Sequence, residues 1–270
     1  VKAQTLVTGR TAVIGQSGSG KSWTIGVICE QLCKAGVGFC IVDTEGEYFS
    51  LKEKFQLLWV GTDPSADLNI EEVDLQRLSS MAVRENVPVI FDTSEALDER
   101  KRVAELCQAL YSVESELRTP YLLIVEEADK FAPQRGKPIR ELWEISRRGR
   151  KRGLGLLLAT QRPAFLSKDI LSQCDSQLIG KLTVEADLAA VSLFFASRKE
   201  LEELPQLKPG EFFVLGSLTD RKLKIKVIER ETTHKGFTPQ LLPKPVGKIS
   251  EIAEKLSGVP IAAPRPALET

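Results

Sequence analysis

The sequence of 270 residues predicts an α/β fold in which helices flank a mostly parallel central sheet. Short apolar runs alternate with longer helical patterns, which is typical of parallel strands joined by crossover helices. Several of these runs are apolar throughout, as expected of strands that helices cover on both faces. Two further strand patterns near the end of the chain predict antiparallel closing strands at one edge of the sheet.

Six short segments have the length and apolar character of the parallel strands, namely residues 11–14, 38–43, 88–92, 121–126, 155–160 and 177–182. The helical pattern predicts helices over residues 21–34, 99–113, 138–151 and 185–195. Residues 211–215 and 222–229 are predicted to form the antiparallel closing pair. The runs 122–125 and 156–158 contain no polar residue, so we expect these two strands to be the most central.

Residues 1–231 are predicted to form one domain. Within it, residues 62–87 are polar and uneven in pattern, and we interpret them as an insertion. Residues 232–270 are interpreted as a Pro-rich tail or strap, because six of the 14 prolines of the chain lie there. A short helix is predicted over residues 249–256.

Composition excludes several classes of protein. Lys and Arg together number 37, as do Asp and Glu, so no overall field favours nucleic acid or a membrane surface. The five cysteines lie in apolar stretches, which indicates reduced core residues rather than a disulfide framework or a metal site. Without a signal peptide or a run of roughly 18 apolar residues, the chain is predicted to be soluble and cytoplasmic, with no membrane partner. The single histidine, His234, follows the last predicted strand and is expected to be exposed.

Residues 15–22 (Gly-Gln-Ser-Gly-Ser-Gly-Lys-Ser) match the Walker A pattern of a P-loop, between a predicted strand and a predicted helix. Its glycines allow backbone N–H groups to turn toward phosphate oxygens at the helix N-terminus. Lys21 is expected to reach the β- and γ-phosphates of ATP, and the Ser22 hydroxyl to bind Mg²⁺. The predicted nucleotide-binding residues are Gly15, Gln16, Ser17, Gly18, Ser19, Gly20, Lys21, Ser22 and Trp23.

Two glutamates follow the apolar run 121–125, where a P-loop enzyme needs acids for its metal ion and its attacking water. Glu126 is predicted to face Mg²⁺, and Glu127 to polarise the water as the catalytic base. Gln161 ends the neighbouring run 156–160, so we expect it to lie beside the γ-phosphate. The alternative is that the two acids only mark the solvated end of a buried strand.

In combination these residues resemble the HerA/FtsK superfamily of P-loop ATPases, and its HerA-like branch most closely. Further similarities are Asp43 followed by Gly-Glu-Tyr at 46–48, the double glutamate continuing to Phe131 and Pro133, the stretch 149–163, and the closing strand at 208–214. Asp129 stands where the family often has His. The resemblance covers roughly residues 5–230 and implies a RecA-like ATPase fold.

The same resemblance implies partners and a shared active site. Such motors place ATP between subunits of a ring, commonly a hexamer, and a neighbour's arginine completes the site. Arg150 is the preferred candidate and Arg147 the second. HerA helicases also carry an amino-terminal β-barrel and act with a nuclease. Here the P-loop begins at residue 15, so the chain is interpreted as a minimal member or as the motor domain without that barrel.

DNA is the predicted partner of two loops. Residues 130–152 contain nine basic and two acidic residues, a local excess in a neutral chain. Arg135 and Lys137 follow the Walker B strand, and Lys168 lies in the loop after Gln161, where cationic side chains could track phosphates. The alternative is that these bases are solvated or pair with acids of a neighbouring subunit.

Three functions are open from the sequence. The first is an ATP-hydrolysing DNA translocase or helicase of the HerA type. The second is a related ATPase for conjugation or DNA packaging that depends on a partner protein. The third is a non-motor nucleotide switch, which the Glu126–Glu127 pair disfavours because a switch does not need a water-polarising acid.

Overall fold

The computed structural model describes residues 3–234, in which ten strands form one sheet. The strands are β1 (Arg10–Ile14), β2 (Phe39–Asp43), β3 (Leu58–Gly61), β4 (Leu68–Asn69), β5 (Val89–Asp92), β6 (Tyr121–Val125), β7 (Leu154–Thr160), β8 (Ser176–Ile179), β9 (Glu211–Gly216) and β10 (Leu223–Lys226). The helices are α1 (Ala3–Thr8), α2 (Lys21–Lys34), α3 (Leu75–Arg84), α4 (Glu99–Leu117), α5 (Ala128–Phe131), α6 (Arg140–Arg148), α7 (Lys168–Leu171), α8 (Glu185–Val191) and α9 (Arg198–Leu201).

The sheet runs in the order β10-β9-β8-β1-β7-β6-β2-β5-β3-β4. All neighbours are parallel except β8 with β9 and β9 with β10, which are antiparallel. The predicted mostly parallel sheet with antiparallel closing strands is therefore confirmed. So is the prediction that β6 and β7 are central, because these two strands occupy the middle of the ten-strand order.

Alternate residues of the central strands enter cores on opposite faces of the sheet, as the period of two requires. On one face, Val42 and Leu123 pack with α3, α4 and α6. On the other, Ile41 and Leu122 pack with α2. The five cysteines are free thiols and four of them are buried, which confirms their interpretation as core residues. Among residues 3–234, no helix has the length and apolar character needed to cross a membrane.

Several elements differ from the prediction. The helix expected over residues 138–151 is shorter: α6 ends at Arg148 and a 3-10 turn, Gly149–Arg152, follows. Residues 62–87 contain β4 and α3, and α3 packs against α4. Asp74 caps α3 by accepting the backbone N–H of Arg77 at 3.0 Å. The tail predicted at 232–270, with its helix at 249–256, lies outside the described residues except for 232–234.

Candidate functional site

The loop between β1 and α2 lies at the carboxyl edge of the sheet, where the sequence places the Walker A pattern. Its first residues are fixed between the two neighbouring strands: the Gly15 N–H donates to the Thr160 carbonyl at 3.3 Å, and the Gln16 N–H to the Lys181 carbonyl at 2.9 Å. Gly20 has φ of 89°, and a Cβ there would lie 2.8 Å from the backbone nitrogen of Gly210. The turn therefore requires glycine for both its conformation and its close packing.

The loop opens into a cavity of about 460 Å³ at the start of α2. Lys21, the first residue of α2, is 6% exposed and lines this cavity. Helix N-termini carry partial positive charge and unpaired N–H groups, so this end of the cavity is suited to an anion. Seven of the nine predicted nucleotide-binding residues line it: Gln16, Ser17, Gly18, Gly20, Lys21, Ser22 and Trp23. Gly15 and Ser19, the other two residues of the set, are buried within the loop.

Three residues predicted to be catalytic meet at one carboxylate. Glu127 Oε1 accepts a hydrogen bond from the Lys21 ammonium at 3.0 Å and another from the Gln161 side-chain amide at 2.7 Å. These side chains come from the P-loop helix and from the ends of β6 and β7, which adjoin in the sheet together with β1. The parallel order therefore brings the ends of three separate segments to one point.

Glu127 has an unusual backbone. Its φ of 42° and ψ of 48° lie in the left-handed region, which a residue with a Cβ seldom adopts. Such a conformation costs on the order of 1 kcal/mol or more, and it persists where surrounding structure imposes it. Here it turns the chain directly from β6 into α5 and directs the carboxylate toward Lys21. Strain of this kind concentrates at functional sites, so it supports a specific role for Glu127.

Glu126, its neighbour, is buried and bonded to a residue from another loop. The Tyr48 hydroxyl donates to Glu126 Oε1 at 2.6 Å, and Tyr48 itself is fully buried. Asp43, at the end of β2, accepts the Tyr48 backbone N–H at 2.9 Å. Burial raises the pKa of Glu126 to about 8 and that of Asp43 to about 7. Two carboxyl groups close to the P-loop thus hold protons near neutral pH when no cation is bound.

This protonation predicts a pH dependence of stability in the nucleotide-free protein. A carboxyl whose pKa rises on folding binds more protons when folded, so stability is lost as pH rises from the ordinary value of 4.5 to about 8. Glu126→Gln keeps an oxygen for Tyr48 but cannot ionise. We expect the melting temperature of the variant, relative to the wild type, to rise by roughly 10 °C from pH 5 to pH 8, because a pKa raised from 4.5 to about 8 is worth about 3 kcal/mol over that range.

Melting temperatures measured by calorimetry over that range check the expectation. Glu45→Gln is the matched control, because Glu45 is 58% exposed and its removal leaves the buried acids in place. If the melting temperatures of Glu126→Gln and the wild type differ by the same amount at every pH, Glu126 is already ionised in the folded protein.

The residues present fit a magnesium ion. Within residues 3–234, no group of three or more His, Cys, Asp or Glu side chains could hold a metal alone. Mg²⁺ in nucleotide sites is commonly bound by one or two protein oxygens, with phosphate oxygens and water completing its shell. Ser22 lines the cavity, and the buried Glu126 carboxyl is linked to it through the Tyr48 hydroxyl, which lies 3.4 Å from the Ser22 carbonyl and 2.6 Å from Glu126 Oε1, so the Ser22 hydroxyl and the Glu126 carboxyl would supply such oxygens. A bound cation would also compensate the burial of Glu126.

Arg147 and Arg150, the predicted arginine fingers, lie away from the cavity of their own chain. The Arg10 guanidinium, at the start of β1, donates to the Ser146 carbonyl at 2.8 Å, and Arg150 pairs with Asp175 at 3.6 Å just before β8. The P-loop follows the opposite end of β1, roughly 13 Å away at the usual rise per residue. Arg150 is 62% exposed at the outer surface, so a neighbouring molecule could reach it.

The two loops predicted to bind DNA pack against each other. The Gln134 backbone N–H donates to the Phe165 carbonyl at 2.6 Å, and Gln134 Oε1 accepts the Lys168 N–H at 2.7 Å. Arg135, Lys137 and Lys168 are all exposed, as is Phe165. Because the two loops pack together, we group these four exposed side chains as the basic loop surface.

One wall of the cavity was missed by the sequence analysis. Residues 227–234, which follow β10 and are called the closing segment below, return across the start of α2. The Trp23 indole N–H donates to the Ile228 carbonyl at 3.1 Å. The His234 ring packs edge-on against the Trp23 ring, with 5.8 Å between the ring centroids, and His234 lines the cavity. The prediction that His234 is exposed is therefore wrong: it is half-buried.

Comparison with known proteins gives a consistent picture. Residues 1–141 match the family described as the central domain of helicase HerA. A DNA double-strand break repair helicase HerA from Pyrococcus furiosus is 32% identical over 130 residues, which are 47% of this chain and 24% of that protein. The chain spans between 24% and 37% of the length of four curated helicases that it matches, this one included.

Solved structures share the fold. The genome packaging NTPase B204 from Sulfolobus turreted icosahedral virus 2, in complex with ATP-gammaS, superposes with a TM-score of 0.62 at 22% identity, covering 82% of this chain and 98% of that one. The plasmid coupling protein TrwB, in complex with ADP and Mg²⁺, gives 0.63 at 13% identity, covering 87% and 88%. The fold is therefore that of RecA-like P-loop ATPases.

Proposed function

The chain belongs to the family of the HerA helicase central domain, and from this premise we propose that it is an ATP-hydrolysing DNA translocase or helicase that acts as a hexameric ring. The observation that carries the proposal is the meeting of Lys21 and Gln161 on one oxygen of Glu127 beside the P-loop. A protein that only bound nucleotide would not need a strained carboxylate at that position.

Binding of ATP follows from the loop and its helix. The N–H groups at the start of α2 and the Lys21 ammonium supply positive charge to the phosphates. When the triphosphate enters, Lys21 moves its interaction from Glu127 to the phosphate oxygens. Glu127 is then free to accept a hydrogen bond from a water molecule.

Hydrolysis is assigned to Glu127 as general base and to Gln161 as the residue that positions the water. The Glu127 carboxylate accepts a proton from the water as it attacks the γ-phosphorus, which breaks the bond to the β-phosphate oxygen. Gln161 already contacts Glu127 from the adjoining strand end, so it can hold the same water. Mg²⁺, held by Ser22 and Glu126, would supply charge neutralisation at the phosphates.

A second subunit is needed to complete this site. Charge that develops on the transferring phosphoryl group is commonly stabilised by an arginine. Arg150 and Arg147 lie at the far ends of the strands of their own chain, so in a ring they would serve the neighbour's nucleotide. Assembly then controls turnover, and a monomer would hydrolyse ATP slowly.

DNA is assigned to the basic loop surface. Its loops follow β6 and β7, as do Glu127 and Gln161, so a change at the γ-phosphate is transmitted along a few residues to the DNA contacts. Arg100 holds the first loop by donating to the Lys130 and Lys137 carbonyls at 2.6 and 2.5 Å. The exposed Phe165 ring could stack on bases if the substrate is single-stranded.

The ATPase rate as a function of DNA concentration tests this assignment. We expect duplex or single-stranded DNA to stimulate the wild type. In the double variant Arg135→Glu/Lys137→Glu, the DNA concentration for half-stimulation should rise at least about 10-fold, and the salt dependence of binding should lose about two units of slope. The rate without DNA should be unchanged, because neither residue lines the nucleotide cavity.

Arg77→Glu/Arg84→Glu is the matched control, since both residues are exposed and lie on α3, which belongs to neither loop. An unchanged salt slope in Arg135→Glu/Lys137→Glu would remove the basic loop surface from DNA binding. Turnover that DNA never stimulates, in a protein shown to be oligomeric, would instead favour a motor that depends on a partner protein. Slow turnover under all conditions would favour a nucleotide switch.

A further inference from the structure

The nucleotide cavity has a second wall that the P-loop does not provide. Beside the loop and the start of α2 it is lined by Pro209 and Gly210, by Lys226 at the end of β10, and by Val227, Glu229 and His234 of the closing segment. A triphosphate seated at the start of α2 must direct its sugar and base into this remaining space. The closing segment is thus in position to contact the nucleoside half of the ligand.

The closing segment contains no helix or strand, so something else must hold it in place. A fully buried carboxylate on α2 does so. Glu30 accepts the backbone N–H of Glu231 at 3.0 Å on both oxygens, and the N–H and hydroxyl of Thr232 at 2.8 Å. Backbone groups are thus bonded to a side chain about 200 residues earlier. We call this set of contacts the Glu30 latch.

Arg230 completes the latch and accounts for a glycine inside a helix. Its side chain is buried, lies 3.7 Å from Glu30, and donates to Ser50 at 3.1 Å. A Cβ on Gly26, in the middle of α2, would lie 2.8 Å from the Arg230 guanidinium. Glycine is unfavourable inside a helix, so its presence here is explained by the space that Arg230 occupies.

We propose that the closing segment forms the nucleoside-binding wall of the cavity, and that Glu30 is the residue that positions it. This inference rests on the proposed ATPase function. Because α2 carries both the P-loop lysine at its start and Glu30 farther along, one rigid helix sets the distance between the phosphate end and the nucleoside end of the site. Without the latch, the closing segment would have to be ordered by the ligand itself, which lowers affinity for the nucleoside half alone.

The test compares two ligands that share the phosphates. Magnesium ATP and magnesium tripolyphosphate are titrated calorimetrically into the wild type and Glu30→Gln. The substituted amide places a donor against the Glu231 N–H and leaves Arg230 without its charge partner. We expect the dissociation constant for ATP to rise at least about 10-fold and that for tripolyphosphate to change less than about 2-fold. Lys34→Ala is the control, because it removes only an exposed ion pair to Glu231 of the same segment.

A second variant guards against unfolding of the first. Gly26→Ala leaves Glu30 intact and improves helix propensity, yet it displaces Arg230, so we expect the same selective loss of ATP affinity. An equal loss for both ligands, or none for either, in a folded Gly26→Ala protein would overturn the latch proposal. If the wild type binds tripolyphosphate and ATP equally well, the nucleoside wall is wrong while the P-loop assignment stands. If it binds neither, the ATPase assignment itself fails.

Discussion

Glu127→Gln should lower the rate of ATP hydrolysis at saturating ATP by at least about 100-fold while ATP still binds. The amide keeps the size of the side chain and can still contact Lys21 and Gln161, but it cannot accept a proton from water. A loss of that size corresponds to about 2.7 kcal/mol of transition-state stabilisation. Turnover measured by phosphate release, alongside the ATP dissociation constant, separates the chemical step from binding.

Glu45→Gln serves as the matched control for this variant as well, since Glu45 is exposed, pairs with Lys130 at 3.5 Å, and does not line the cavity. Its turnover should equal that of the wild type. Normal turnover in Glu127→Gln would mean that another residue activates the water and that the strained backbone of Glu127 has a different cause.

Lys21→Ala should weaken ATP binding by about 100-fold and abolish measurable hydrolysis. The lysine ammonium lies inside the cavity at the start of α2, so its removal takes away a charge-assisted hydrogen bond to the phosphates. It also leaves Glu127 without its cation at 3.0 Å, which adds repulsion between that carboxylate and an entering triphosphate. Both effects reduce affinity, whereas Glu127→Gln reduces only the rate.

Lys208→Ala provides the comparison, because Lys208 is exposed and lies outside the cavity. ATP binding in that variant should match the wild type. Retained ATP affinity in Lys21→Ala would show that the ligand does not place its phosphates at the P-loop.

The arrangement of the P-loop with Glu127 and Gln161 was predictable because these residues are close in sequence or follow neighbouring strands. A contiguous motif fixes Gly15 to Ser22, and apolar runs identify β6 and β7 and so place Glu127 and Gln161 at one edge. The contacts of the proposed nucleoside wall were not predictable in this way. Glu30 meets Thr232 across 202 residues, and no periodic pattern records such a contact.

Some missed features did leave a signal. Leu75, Leu78 and Ala82 follow helical spacing after the capping residue Asp74, so α3 could have been predicted within the segment interpreted as an insertion. Gly26 inside an otherwise regular helix indicated a close neighbour on that face. Tyr48 belongs to the Gly-Glu-Tyr sequence at 46–48 that follows Asp43, but its hydrogen bond to Glu126 depends on burial that sequence spacing does not give.

A structure determined with a non-hydrolysable ATP analogue and Mg²⁺ tests the central claim most directly. We expect the triphosphate at the start of α2 in contact with Lys21, Glu126 beside the metal ion, and Glu127 within reach of a water that faces the γ-phosphate. An analogue bound elsewhere, or bound here with both glutamates directed away from the phosphates, would contradict the account.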